Sequence, residues 1–166
     1  NDVKVFYSGE STVNFFPQNL ENVLPNTETI QINNANLKEI TRDDLRPFGD
    51  KLKNLWLGTN DLELIEADLF DFTPNIEWIY LENNKIKNVE SGALGKLQKL
   101  KNFNFVKNPC HTGEAGSLVD VKYLIAEVEF KCQQTSYLLK GVEREMREFR
   151  KEVTHLRNKI EENCQN

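Results

Sequence analysis

The chain has 166 residues, 39% hydrophobic and 28% charged, which suits one folding unit with a modest core and not two independent domains. No stretch approaches the roughly 18 uninterrupted apolar residues of a membrane span, and no basic-then-apolar opening resembles a signal peptide, so a mature or trimmed soluble chain is expected. Lysine plus arginine number 21 against 26 aspartate plus glutamate, a net charge of −5 that speaks against nucleic acid as a partner.

In chain order, the first segment, Val3 to Val23, contains Val5, Phe6, Val13, Phe15, Phe16 and Leu20 without a clean register, and reads as one irregular repeat acting as an N-terminal cap. A degenerate block follows with Ile30, Ile32, Leu37, Ile40 and Leu45, and with Ala35 where later blocks carry asparagine. The clearest block is Leu52, Leu55, Leu57, Asn60, Leu62, Ile65, Phe70; the next is Ile76, Ile79, Leu81, Asn84, Ile86, Val89, Leu94, Leu97; the third begins Leu100, Phe103, Phe105, Asn108. Leu55, Ile79 and Phe103 mark a period of 24 residues, and each block spells L-x-x-L-x-L-x-x-N-x-L. The L-x-L alternation puts two apolar residues of a short strand into the core, and the asparagine turns the chain by bonding neighbouring backbone groups. Stacked strands then build one parallel sheet, each repeat burying its apolar edge only against its neighbours.

Over about residues 25–110 this pattern resembles the leucine-rich-repeat family. In that repeat the residues between the core leucines point outward on the concave sheet face. The resemblance therefore places Trp56 and Tyr80 at one equivalent position with Trp78 beside them, in a polar rim that includes Asn54 and Glu82 together with Gln31, Thr59, Glu77, Asn83, Asn102 and Asn104. Large rings in a polar rim are the composition of a protein-binding hot spot, and these residues are the expected site for a protein ligand unless another segment covers them.

After the last repeat, Asn108-Pro109-Cys110 puts a cysteine in the slot held by Leu62 and Ile86. In extracellular members of the family such a step opens a C-terminal cap whose cysteine pairs with a later one, which implies a Cys110–Cys132 disulfide and an oxidising compartment. Reduced cytosolic thiols are the alternative. Ser117 then opens a helix whose apolar residues Leu118, Val119, Tyr123, Leu124, Val128 and Phe130 suit a lid on the array. Zinc would need a fourth ligand beside Cys110, His111 and Cys132, and with no short-spaced cysteine pair neither a metal nor a cofactor is expected.

From Leu139 the apolar residues step alternately by three and four: Leu139, Val142, Met146, Phe149, Val153, Leu156, Ile160. This heptad seam predicts a coiled-coil helix over about 134–163, roughly 45 Å long at 1.5 Å per residue. Glu145 and Glu152 would face Arg150 and Arg157 of a parallel second chain, in a homodimer or a heterodimer; the alternative is a seam folded back on the array. With Cys110 and Cys132 paired, Cys164 is left to bridge chains.

The two histidines, His111 and His155, lie in a cap turn and on a polar helix position, and no catalytic or phosphate-binding motif occurs, so no enzyme is expected. The expected architecture is an α/β solenoid: a short leucine-rich-repeat array with a parallel sheet over 1–109, a helical C-terminal cap over 110–133, and a long coiled-coil helix over 134–166. This order of modules resembles the secreted leucine-rich-repeat immune proteins of mosquitoes. The resemblance implies a secreted, extracellular recognition protein of innate immunity, with a cytosolic repeat adaptor and an extracellular matrix or receptor fragment as the alternatives.

Overall fold

The computed structural model describes residues 4–9 and 12–133; the predicted seam from Leu139 to Ile160, and Cys164, lie outside the described residues. In chain order the elements are β1 (Val5–Gly9), α1 (Leu20–Val23), β2 (Thr29–Asn33), α2 (Arg42–Leu45), β3 (Asn54–Trp56), β4 (Leu64–Ile65), β5 (Trp78–Tyr80), β6 (Asn88–Val89), β7 (Asn102–Asn104), β8 (Glu114–Ala115) and a helix, α3, over 118–133. The large sheet has the order β1-β2-β3-β5-β7-β8, parallel except for the last pair, and β4 with β6 makes a small second parallel sheet.

One residue per strand sets the register: Phe6, Ile30, Leu55, Ile79 and Phe103 lie abreast along the sheet, and the last four are fully buried. A second row, Ile32, Leu57, Leu81 and Phe105, is buried behind them. Strands of three residues suffice because side chains alternate between faces, so a single buried residue flanked by two outward ones completes the pattern. Full burial of each such side chain is worth roughly 1.5–3 kcal/mol, all of it gained against neighbouring repeats.

The asparagines stitch the repeats together. Asn60 Oδ1 accepts from the N–H groups of Ala35 and Leu37, while its Nδ2 donates to the carbonyls of Ile32 and Leu57. Asn84 and Asn108 repeat the arrangement one and two steps on, toward Leu62 and Leu57, then toward Ile86 and Leu81. These side chains are buried, and each satisfies backbone groups that no ladder bond reaches. Along the flank runs a charge ladder in which Glu28, Asp61, Glu63, Asp71 and Glu77 pair with Lys53, Lys85, Lys87, Lys96 and Lys101. Each exposed pair contributes at most about 1 kcal/mol.

Two expectations need correction. The N-terminal segment has a register after all: β1 pairs with β2 over its whole length, Val5 opposite Thr29 and Tyr7 opposite Gln31. Val5 and Phe15 do not enter the core and are exposed, whereas Phe16 and Leu20 are buried and Phe6 and Val13 are partly buried against it. In the cap helix the buried stripe is Val121, Leu124, Val128 and Cys132, and Leu118, Val119, Tyr123 and Phe130 are exposed. The buried set steps by three, four and four, one face of a 3.6-residue helix, while Val119, Tyr123 and Phe130 fall on the opposite side.

The cap closes the array with three devices. Strand β8 adds antiparallel to β7, setting Ala115 against Phe103. A disulfide joins Cys110 to Cys132 across 22 residues. Glu129 of α3 accepts from the N–H groups of Leu94 and Gly95 at 3.0 and 3.2 Å, so the helix satisfies backbone of the preceding repeat.

Candidate protein-interaction face

The outward positions of the large sheet form a continuous surface. Because β3 and β5 are in register, Trp56 lies opposite Tyr80 and their rings stack at 5.7 Å between centroids and 27° between planes. Trp78 meets Tyr80 edge-on at 6.3 Å and 79°, so the three rings form one contiguous group. Trp78 is 39% exposed. The neighbouring columns are polar: Asn54 donates to Thr29 Oγ1 at 2.8 Å, and Asn102 and Asn104 on β7 lie beside Trp78 and Tyr80.

Glu82 comes two residues after Tyr80 and folds back over Gly58, where a Cβ would collide with its carboxylate. A side chain at this position would displace the Glu82 carboxylate, so the glycine leaves room for it without any left-handed φ of its own. Glu82 Oε2 and the Trp56 indole Nε1 are both buried without a hydrogen-bond partner. Burial, followed by the charges of Glu82 and Glu114, raises the Tyr80 phenol above its ordinary pKa. Glu114 lies on the antiparallel strand opposite Asn104, itself paired with Tyr80, so it stands two strands from that ring.

The structure brings Trp56, Trp78, Tyr80, Asn54 and Glu82 together on this face. Glu77 stands apart from the rim expected for it: it is on the flank, paired with Lys101 at 2.7 Å, and that contact holds its carboxyl below the usual range. Thr59 and Asn83 occupy the turns that follow the strands, in left-handed conformation at φ 57° and 52°. Three surface residues were missed from sequence. Tyr7, 63% exposed, and Val5 extend the face onto β1, and Glu114 closes its other end. Tyr7 stands 24 residues before Gln31, so the repeat period itself could have found it; Ser8 in the second apolar slot hid the match.

Away from this face, His111 is packed beneath the cap helix. Desolvation and then Lys131 lower its pKa, opposed by Glu127 at 3.7 Å. Among the described residues no group of three or more His, Cys, Asp or Glu is arranged to hold a metal ion. Among the same residues no helix is long and apolar enough to cross a membrane.

Residues 50–109 match the family model described as Leucine rich repeat. The fold is a leucine-rich-repeat solenoid. Among solved structures, the crystal structure of the APL1 leucine-rich repeat domain superposes with a TM-score of 0.51 at 19% identity, covering 66% of this chain and 35% of that one. At that identity the likeness is one of fold, and the present chain spans about a third of the other's length. No curated protein matches the sequence. Leucine-rich-repeat domains serve in general as protein-recognition modules without catalytic machinery, and their extended sheet face is the surface that stacking of repeats creates.

Proposed function

We propose that this chain is a secreted, non-enzymatic protein-recognition module of insect-type innate immunity, which binds a protein ligand on its concave sheet and oligomerises through the segment from Leu139 to Ile160. The observation that carries the recognition reading is the contiguous Trp56–Tyr80–Trp78 group on an open sheet face. The three rings gather outside the buried core, and rings of this size in a polar rim are the anchors around which protein interfaces form. Secretion is supported by the Cys110–Cys132 disulfide, since such bonds persist in oxidising compartments. The immune role rests on the order of modules read from the sequence.

The test of the recognition reading is parallel affinity capture from extracellular fluid with wild-type and Trp56→Ala full-length protein, quantified by mass spectrometry. A ligand of this face is depleted several-fold on the Trp56→Ala bait while the melting temperature of that variant is unchanged. Equal capture by the two baits, with equal melting, refutes the concave face as the site. Oligomerisation is read separately by light scattering under reducing conditions: Phe149→Asp with Leu156→Asp gives monomers, and a wild-type chain that is already monomeric at tens of micromolar overturns the coiled-coil part of the proposal.

A further inference from the structure

Five acidic residues pair with lysines along the flank of the array. On the flank, Glu28, Asp61, Glu63, Asp71 and Glu77 are each matched by a lysine one repeat on. On the open sheet face, Glu82 and Glu114 have no ion-pair partner among the described residues, and none of the outward strand positions on β1, β2, β3, β5, β7 or β8 is lysine or arginine. Glu82 follows Tyr80 by two residues and folds over Gly58, Glu114 stands beyond Asn104, which is paired with Tyr80, and one Glu82 oxygen is buried without a hydrogen-bond donor among the described residues. Two negative charges beside stacked aromatic rings is the arrangement that attracts a weakly hydrated, planar cation: the ring faces supply quadrupole attraction and the carboxylates supply acceptors for charged N–H donors.

We propose that the Trp56–Tyr80 ring group, with Glu82 and Glu114, is an anchor site for an arginine side chain presented by the protein ligand. The assignment rests on the reading of this face as a recognition surface and names the chemistry of what it recognises. A guanidinium suits the site better than an ammonium because it stacks flat on an aromatic face while its edge donates in a fork to carboxylates. Charge complementarity also says what the face excludes: an acidic segment would meet two carboxylates that have no ion-pair partner among the described residues.

The chain's two tryptophans are both in the ring group, so the two indole N–H signals of the ¹⁵N-labelled full chain report on the face directly. The probe is the peptide Ac-Gly-Arg-Gly-NH₂, compared with the same peptide carrying citrulline, which keeps the shape and loses the charge. The expected result is a saturable shift of the indole signals by the arginine peptide with a Kd on the order of millimolar. Substituting citrulline, or using the Glu82→Gln/Glu114→Gln variant, weakens it about fivefold or more. Unchanged amide dispersion shows that the variant is folded. Equal affinity for the citrulline peptide, full affinity in the double variant, or no saturable shift at all each overturns the arginine anchor. Those results leave the recognition face standing if Trp56→Ala still loses the captured ligand, so the two readings fail separately.

Discussion

Replacing Asn60 by alanine is expected to remove the strongest single coupling between two repeats. Its amide makes four bonds of 3.1 Å or less to backbone, accepting from the N–H groups of Ala35 and Leu37 at 3.1 Å each and donating to the carbonyls of Ile32 at 2.6 Å and Leu57 at 3.0 Å, with a longer fifth to the Gly58 carbonyl at 3.4 Å. The site is buried, so those backbone groups lose their partners and gain little water in exchange. At about 1 kcal/mol net for each neutral bond, the loss is about 4 kcal/mol, a large part of the ordinary stability of a domain. For a chain of this size that corresponds to a fall in Tm of roughly 10 °C. Urea unfolding followed by far-ultraviolet circular dichroism measures it. Asn60→Asp is expected to be at least as damaging at neutral pH, because it keeps an acceptor for the two N–H groups but turns carboxylate oxygen toward two carbonyls. A loss below about 1 kcal/mol for Asn60→Ala would refute the view that these asparagines couple the repeats, and would leave apolar stacking alone to hold the array.

Thr59→Asn should stabilise by about 1 kcal/mol, since Thr59 is β-branched at a left-handed turn position where the equivalent residues Asn34 and Asn83 tolerate the conformation; an unchanged urea midpoint would count against it. Cys132→Ser opens a loop of 22 residues and should cost about 3 kcal/mol in the chain-entropy account, seen as a lower Tm that reductant reproduces in the wild type. Glu28, held to a pKa of about 2 by hydrogen bonds from Lys4 and Lys53, contributes stability that is complete above its ordinary value of 4.5 and is lost as pH falls toward 2; Glu28→Gln should flatten the acid limb of a Tm-versus-pH curve. His111, lowered by burial, is neutral in the folded cap, so protonation below pH 6.5 favours the unfolded state, and hydrogen exchange in α3 should quicken there unless His111 is replaced by glutamine. Glu82→Gln and Glu114→Gln should bring the Tyr80 phenol back toward its ordinary range in an ultraviolet titration, the part caused by burial persisting.

Where the sequence was legible, it was so because one physical demand recurs at a fixed interval. Leu55, Ile79 and Phe103 must each fill the same place in a stack, so the period betrays the parallel sheet, and the residues between them reveal the outward face that carries Trp56 and Tyr80. Elements that occur once leave no such trace. Strand β8 pairs antiparallel through two residues, Glu114 and Ala115, too short a segment for any alternation to show. In the cap helix the apolar residues lie on two opposite sides, so composition alone selected Val119, Tyr123 and Phe130 when the helical step picks Val121, Leu124, Val128 and Cys132. Strand β1 follows the period, but Ser8 replaces the second apolar residue and Val5 and Tyr7 face outward, which inverts the expected pattern.

The asparagine stitching also has an implication for how such a surface changes in size. Asn60, Asn84 and Asn108 each reach back to backbone of the repeat before them, and every internal repeat offers forward the same groups that it takes from behind. A tandem duplication of one 24-residue block upstream of the last two repeats would therefore find matching edges on both sides, while β8, α3 and the Cys110–Cys132 bond, which close the end of the array, would be left as they are. Each such event widens the sheet by one strand spacing, about 4.8 Å, and carries a fresh pair of outward residues that no core contact constrains. The footprint offered to a ligand is in this sense a discrete variable, altered by unequal recombination in whole strands, and its chemistry is rewritten afterwards two residues at a time.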